Sequence, residues 1–162
     1  MNEKSIDILI KVGVFTVVSA ITAPMLIPAE AQFVSMFTPK YACVQEAQEH
    51  VQETARSLGI DAPVNVRFNN ADLLSRMHVL AYVGQTPDSN GYQVVLTPWI
   101  ATPIEADHEL YHIKQHGKEL PKLTGTDQGD SLLLRQRGPW SFKEIYTQEW
   151  QAALYSITGI KL

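Results

Sequence analysis

The feature that most constrains the fold of this chain is a seven-residue stretch, 107–113, which reads Asp-His-Glu-Leu-Tyr-His-Ile. Residues four apart lie on the same face of an α-helix, so the imidazoles of His108 and His112 can converge on one ion. Glu109 points about 100° away from His108 around the helix, close enough to accept a proton without binding the ion itself. The stretch therefore predicts a helix that carries a zinc site. The alternative is a solvated helix that happens to hold two histidines.

The composition is that of one globular domain. A chain of 162 residues with 45% hydrophobic and 19% charged residues can bury a core without covalent cross-links. Its net charge of -4 provides no basic surface, so we do not expect nucleic acid as a partner. The single cysteine, Cys43, excludes an internal disulfide and a thiolate zinc cluster, and we interpret it as a packing residue. A metal must therefore be held by histidine and carboxylate.

Residues 1–31 have the pattern of a signal peptide. An apolar run, Val12–Ile27, follows Lys4 and Lys11 and is followed by an Ala-x-Ala sequence at 29–31, which fits the small-residue rule for cleavage. We therefore expect an exported protein, periplasmic or secreted, whose mature chain is a single domain over residues 32–162.

The same segment also admits an uncleaved membrane anchor over residues 6–27. Glu3 and Asp7 nearly cancel the charge of the two lysines. Length favours cleavage, because sixteen helical residues span about 24 Å against a hydrocarbon core of about 30 Å. A buried core helix is the third interpretation. A membrane is thus expected as a partner only if the segment is retained.

Hydrophobic periodicity predicts helices and a small sheet around the motif. Apolar residues recur at spacings of three and four from Val44 to Leu58, and Gly59 suits the end of that helix. Thr102 and Pro103 are typical of the start of a helix, here the one that carries the motif. Three stretches have the residue pattern of strands: 64–68, 78–83 and 92–96. The second and third are expected to pair as a hairpin.

Two other histidines and one long connection lie near these elements. His50 falls on the polar side of the first helix, where we expect it to be solvated. His116 lies about 12 Å along the axis from His108, too far to share a tetrahedral ion, and is expected in solvent. Residues 117–139 contain several glycines and prolines and predict a long loop, either a functional lid or a disordered excursion.

A third ligand is expected from the C-terminal helix, predicted to begin at Ser141. Glu149 falls within an apolar stripe of that helix, and a carboxylate forced inward is costly unless a cation or metal pairs with it. Binding of zinc by His108, His112 and Glu149 resolves this cost. The alternatives are a position at the edge of the stripe, or an ion pair with Arg135 or Arg137, and Glu144 is a weaker ligand candidate.

The motif helix together with Glu149-x-x-Ala152, 37 residues after His112, resembles the gluzincin division of the zincin metallopeptidases. It is similar in particular to the membrane-linked and sensor peptidases whose motif reads His-Glu-Leu-x-His-Ile. The resemblance implies Zn2+ bound by His108, His112 and Glu149, with Glu109 as general base. It also implies an α+β, zincin-like fold, a minimal metallopeptidase domain with about three main helices and a small, partly antiparallel sheet. The metzincin pattern is excluded because glutamine and lysine occupy positions 115 and 118.

The chain departs from this family at one position. The family commonly places, four residues after the ligand glutamate, an aspartate that orients a zinc histidine, and here that position is Ala153. Asp107, Tyr155 and Ser156 are possible substitutes. The family also supplies a group that stabilises the oxyanion, for which this chain offers five candidates: His78, Tyr111, Tyr146, Arg135 and Arg137.

The resemblance implies a zinc-dependent peptidase acting on peptide or protein substrates. Glu109 would take a proton from the attacking water and pass it to the leaving amine, and one hairpin strand could pair with extended substrate. The main alternative is a non-catalytic zinc-binding protein of the same fold, structural or interacting. A third class, an exported binding module without metal, would leave the inward position of Glu149 unexplained.

Overall fold

The structure is a computed structural model that describes residues 34–35, 37–69, 81–137 and 149–160. The expected signal peptide or anchor, the beginning of the 78–83 strand and the start of the C-terminal helix lie outside these residues. Within them, no helix combines the length and the apolar character needed to cross a membrane.

The described residues form an α+β fold of four α-helices and a small mixed sheet. The helix count is one higher than the three main helices that we expected. In chain order the elements are α1 Val44–Leu58, β1 Val64–Phe68, β2 Ala81–Gln85, β3 Tyr92–Leu96, α2 Pro103–His116, a 3-10 turn Gly117–Glu119, α3 Asp127–Arg137 and α4 Trp150–Thr158.

The sheet has three strands in the order β1-β3-β2. The hairpin is confirmed, because β2 pairs antiparallel with β3 and places Val83 opposite Val94. β1 pairs parallel with the other side of β3, with Val66 opposite the same Val94. The central strand is the most buried, and its residues Val94–Leu96 are fully enclosed. The antiparallel strand β2 is therefore an edge of the sheet.

Helix α1 covers one side of this sheet with the periodicity that the sequence predicts. Its buried positions are Ala47, Val51, Ala55 and Leu58, and it ends at Gly59, whose φ of 73° is readily adopted only by glycine. Gln48 ties the helix to β1, since its amide donates to Val64 O at 2.8 Å and accepts from Val66 N at 2.7 Å. Cys43 is exposed just before this helix, so our interpretation of it as a packing residue was wrong.

Helix α2 carries the motif and begins where the sequence predicts. The Thr102 hydroxyl accepts a hydrogen bond from Glu105 N, and Pro103 occupies the first turn. Ala106, Leu110 and Ile113 are buried in the main core between the sheet and the other helices. The motif helix is thus held on its apolar side, which fixes the direction of its polar side chains.

Residues 117–139 were expected to form a long loop, and this prediction was wrong. The 3-10 turn and α3 occupy much of the segment, and Leu123 N donates to Gln85 O beside the edge of β2. The segment is held against the sheet by Asp130, whose side chain is fully buried. Its carboxylate accepts from Thr124 N at 2.7 Å and from Arg67 Nη2 at 2.6 Å. A partner from β1, 63 residues away, therefore anchors α3 to the sheet.

Candidate metal centre

The three predicted ligands lie together in the structure. The Nε2 atoms of His108 and His112 are 3.1 Å apart. Glu149 Oε2 lies 3.0 Å from His108 Nε2, and Glu149 Oε1 lies 3.3 Å from His112 Nε2. One candidate donor atom from each residue lies within 4.8 Å of those of the other two, so the three residues could hold a metal ion.

The donor atoms suit a tetrahedral divalent ion. At bond lengths of about 2.0–2.1 Å, a tetrahedral ion places its ligand atoms about 3.3–3.4 Å apart. The two imidazole nitrogens are 3.1 Å apart, and each lies 3.0 or 3.3 Å from a different oxygen of the Glu149 carboxylate, which comes close to that spacing. Two imidazoles and one carboxylate are also the donor set of zinc sites that keep one position open to water. The residues therefore fit such an ion in both geometry and chemistry.

Two packed helices bring the ligands together. Within α2 the four-residue spacing sets the rings of His108 and His112 edge to face, with centroids 4.8 Å apart. Glu149 immediately precedes α4 and already has helical backbone angles, φ −64° and ψ −40°. A hydrogen bond of 2.6 Å from Gln115 Nε2 to Gln151 Oε1 joins the two helices beside the three candidate ligands. The carboxylate is thus positioned by packing between the helices.

The two histidines beside Glu149 favour the negatively charged form of its carboxyl group. Burial raises the pKa of Glu149, but hydrogen bonds from both histidines outweigh burial and hold the pKa well below its usual range. Burial lowers the pKa of His108, and Glu149 offsets only part of that effect. Burial also tends to lower the pKa of His112, but Glu149 more than compensates and raises it. A buried carboxylate between two imidazoles favours a bound cation.

Two further carboxyl groups of α2 are buried close to the ligands. Burial raises the pKa of Glu109 to about 8, while the nearby charge of His112 lowers it and those of Glu149 and Glu105 raise it. Burial likewise raises the pKa of Glu105 to about 7. A cation beside Glu109 would lower its pKa, because an opposite charge favours the carboxylate. Glu109 is therefore placed to exchange a proton near neutral pH.

Replacing Glu105 by glutamine is expected to flatten the pH dependence of stability in metal-free protein. The folded carboxyl keeps its proton up to about pH 7, whereas the unfolded one loses it near 4.5. The folded state thus binds more protons between these values, and stability falls as pH rises through them. At pH 8 the variant should be more stable than the wild type by roughly 3 kcal/mol at most.

Urea denaturation at pH 5 and pH 8 in the presence of a chelator measures this difference. Glu53→Gln, which changes an exposed carboxylate of α1, is the matched control and should follow the wild type. An equal loss of stability between the two pH values in Glu105→Gln and the wild type would contradict the assignment.

The structure places the three expected substitutes for the missing aspartate elsewhere. Asp107 Oδ1 lies 2.9 Å from His50 Nε2, Ser156 donates to Ala153 O, and the Tyr155 ring stacks on Tyr111 at 4.9 Å. Ala153 is itself fully buried, so a longer side chain at this position would lie in the interior of the domain. The contact between Asp107 and His50 joins α2 to α1.

Of the oxyanion candidates, only Tyr111 has a described side chain. It is buried, with its ring against Tyr155 and the Lys114 ammonium 5.7 Å from its centroid. His78 and Tyr146 lie outside the described residues, as does the weaker ligand candidate Glu144, and the side chains of Arg135 and Arg137 are not described.

Two side chains near the site make contacts that the sequence did not indicate. His50 was expected in solvent, but it is only 30% exposed and pairs with Asp107, so that expectation was wrong. Gln115 links the two helices that carry the candidate ligands. It lies on the same helical stripe as the two histidines, and this was the sequence feature from which its position near the site could have been predicted. His116 lies outside the ligand group, as expected, but like His50 it is only partly exposed, at 29%, and its Nδ1 lies 3.6 Å from Glu119 Oε2.

Comparison of the chain with models of protein families, with curated proteins and with solved structures gave no match.

Proposed function

We propose that the protein is a zinc-dependent peptidase with a zincin-like domain. The observation that carries the proposal is the close approach of His108, His112 and Glu149, with the buried carboxyl of Glu109 beside them. Two imidazoles and a carboxylate leave an open coordination position, as a hydrolytic site requires. When bound, zinc supplies a Lewis acid that polarises the scissile carbonyl and acidifies water.

The chain's own residues then carry the proton through the reaction. Glu109 in its carboxylate form takes a proton from the attacking water and delivers it to the leaving amine. Its burial suits this task, because a base whose pKa lies near the working pH both accepts and releases a proton readily. The histidines are fixed by Glu149 and by the packing of α2, which keeps the base and the ligands in one geometry.

The edge strand β2 offers a place for an extended substrate. β2 lies at the side of the sheet, and its only bridge outside the sheet among the described residues joins Gln85 to Lys122. Gly84 is packed against Pro121 and Leu123, so the backbone groups of Ala81–Val83 are those that can pair with a peptide by adding a strand. Such pairing would hold the peptide backbone with little preference for particular side chains.

Removing the metal tests the proposal. Elemental analysis of the wild type is expected to give one zinc per chain, and a quenched-peptide library should be cleaved. A chelator should abolish cleavage, and stoichiometric zinc should restore it. Protein purified without zinc, and unable to bind it when it is supplied, would contradict the proposal.

A non-catalytic zinc-binding protein is the second candidate. The observation in its favour is Ala153, fully buried at the position where the peptidases that it resembles commonly carry an aspartate. Zinc content is the same for both candidates, so only turnover separates them. One zinc per chain with no cleavage of any peptide in a broad library would favour this alternative.

A further inference from the structure

If His108 and His112 bind an ion, each ring keeps one nitrogen that faces away from it. The Nε2 atoms are the ones that lie together and against Glu149, so they are the metal-binding atoms. A metal on Nε2 leaves the ring proton on Nδ1, and metal-bound histidines almost always donate that proton to an acceptor. In the peptidases that this chain resembles, an aspartate commonly serves a zinc histidine, and here its position is Ala153. A different acceptor must serve in this chain.

Gln115 carries a buried acceptor atom whose use the surrounding contacts do not explain. Its amide nitrogen donates to Gln151 Oε1 at 2.6 Å, which restricts the direction of the amide oxygen. That oxygen, Oε1, is buried, and within the described part of the chain no donor meets it at hydrogen-bonding geometry. Leaving a buried acceptor without a donor is costly, so an atom of this kind indicates a donor that faces it in the working state of the site.

The position of Gln115 on α2 brings this oxygen to His112. The two residues are three apart, so their side chains are neighbours on one face of the helix. Burial lowers the pKa of His112, Glu149 raises it, and a hydrogen-bonding contribution from Gln115 raises it further. An acceptor beside an imidazole has that effect, and Oε1 is the only side-chain acceptor of Gln115. Oε1 is therefore close enough to act on the ring, although it is not aligned as a hydrogen bond in the metal-free state.

We propose that Gln115 is the positioning residue of His112, whose Oε1 accepts the Nδ1 proton of His112 when Nε2 binds the metal. Gln151 holds the Gln115 amide so that its oxygen, and not its nitrogen, is presented to the ring. Because Gln151 lies two residues beyond Glu149, the same pair joins the ring of one ligand to the helix that follows another. The inference rests on the zinc site of the proposed function and needs no peptide hydrolysis.

Zinc affinity of the full chain, measured by competition with a chromogenic chelator, gives the first test. Gln115→Met keeps the length of the side chain and removes its amide. It should weaken zinc binding by about 10–100-fold, the usual cost of losing a residue that supports a ligand. Gln115→Glu restores an acceptor and should bind zinc within a few-fold of the wild type. Gln52→Met makes the same change as Gln115→Met on the exposed face of α1 and should have no effect.

Nuclear magnetic resonance of zinc-loaded protein with 15N-labelled histidine detects the proposed hydrogen bond directly. In the wild type the Nδ1 proton of His112 should give a signal that is protected from exchange with water. The signal should be lost or move upfield in Gln115→Met. It should move downfield in Gln115→Glu, because a carboxylate is the stronger acceptor. The Nδ1 signal of His108 should stay in place in both variants.

Wild-type zinc affinity together with an unmoved His112 signal in Gln115→Met would overturn the proposal. An equal loss of affinity in Gln151→Met would also overturn it. That variant breaks the bond between the helices but keeps Gln115 Oε1, so the pair would then serve only to join α2 to α4. If circular dichroism shows that Gln115→Met does not fold, a His112 signal that fails to move downfield in Gln115→Glu has the same meaning.

Failure of the proposed function would give a different pattern. A wild type that binds no zinc would overturn the proposed function and this inference together. Zinc binding without cleavage of any peptide would contradict only the peptidase, because affinity and the His112 signal are measured without turnover.

Discussion

Replacing Glu109 by glutamine is expected to leave zinc binding unchanged and to lower kcat for peptide hydrolysis by about 10²–10⁴-fold. Glutamine has nearly the size of the glutamate and keeps the buried position, but it cannot accept a proton from water. Because Glu109 is not one of the three ligands, the metal should stay in place. Steady-state kinetics on a quenched peptide and elemental analysis of the same preparation measure the two quantities.

Glu105→Gln provides the matched control for this experiment. It makes the same chemical change one turn earlier on α2, at another buried carboxyl group. Cleavage should change by at most several-fold, because Glu105 acts on Glu109 only through its charge. Cleavage by Glu109→Gln at the wild-type rate would show that another group is the base.

Replacing Glu149 by alanine is expected to weaken zinc binding by more than about 100-fold and to abolish cleavage. Loss of a residue that merely supports a ligand typically costs 10–100-fold in metal affinity, and loss of a ligand should cost more. Glu149 is also the anion that both histidines contact, so its removal takes away the carboxylate that lies against the two imidazoles. Competition with a chromogenic chelator measures the affinity, and circular dichroism reports whether the variant folds.

Ser156→Ala on the same helix is the control for this change. Its hydroxyl donates to Ala153 O within α4, so its loss should leave zinc affinity as it is. If Glu149→Ala fails to fold, Glu149→Gln keeps the side-chain volume and removes only the charge. Wild-type affinity in a folded Glu149 variant would mean that the third ligand had been assigned wrongly.

The elements that the sequence predicts well are those whose signals are local. Gly59 ends α1 with the positive φ that its position after an apolar periodicity indicated. Thr102 and Pro103 likewise begin α2 by satisfying backbone groups within one turn. The inward direction of Glu149 was also readable, because a carboxylate among apolar helix positions needs a partner. For these residues the neighbouring sequence contains nearly all of the determining chemistry.

The structural features that the sequence did not indicate depend on contacts between residues far apart in the chain. Asp130 is buried because Arg67 lies beside it, and no pattern within residues 117–139 points to β1. The bond between His50 and Asp107 likewise joins residues 57 apart. Composition made 117–139 resemble a loop, since its glycines and prolines were visible and its anchoring partner was not. Tertiary contacts outweighed local preference in both cases.

Because the candidate ligands are far apart in the chain, the ribosome adds them at different times. Glu149 follows His108 by 41 residues, so at about 5–20 residues per second a ribosome adds it roughly 2–8 seconds after that histidine. During that interval the nascent chain has the histidines and Glu109 but only two of its three ligands. In the proposed peptidase, the site would therefore lack its third ligand, and with it activity, while neighbouring nascent segments are still unfolded and most easily cut.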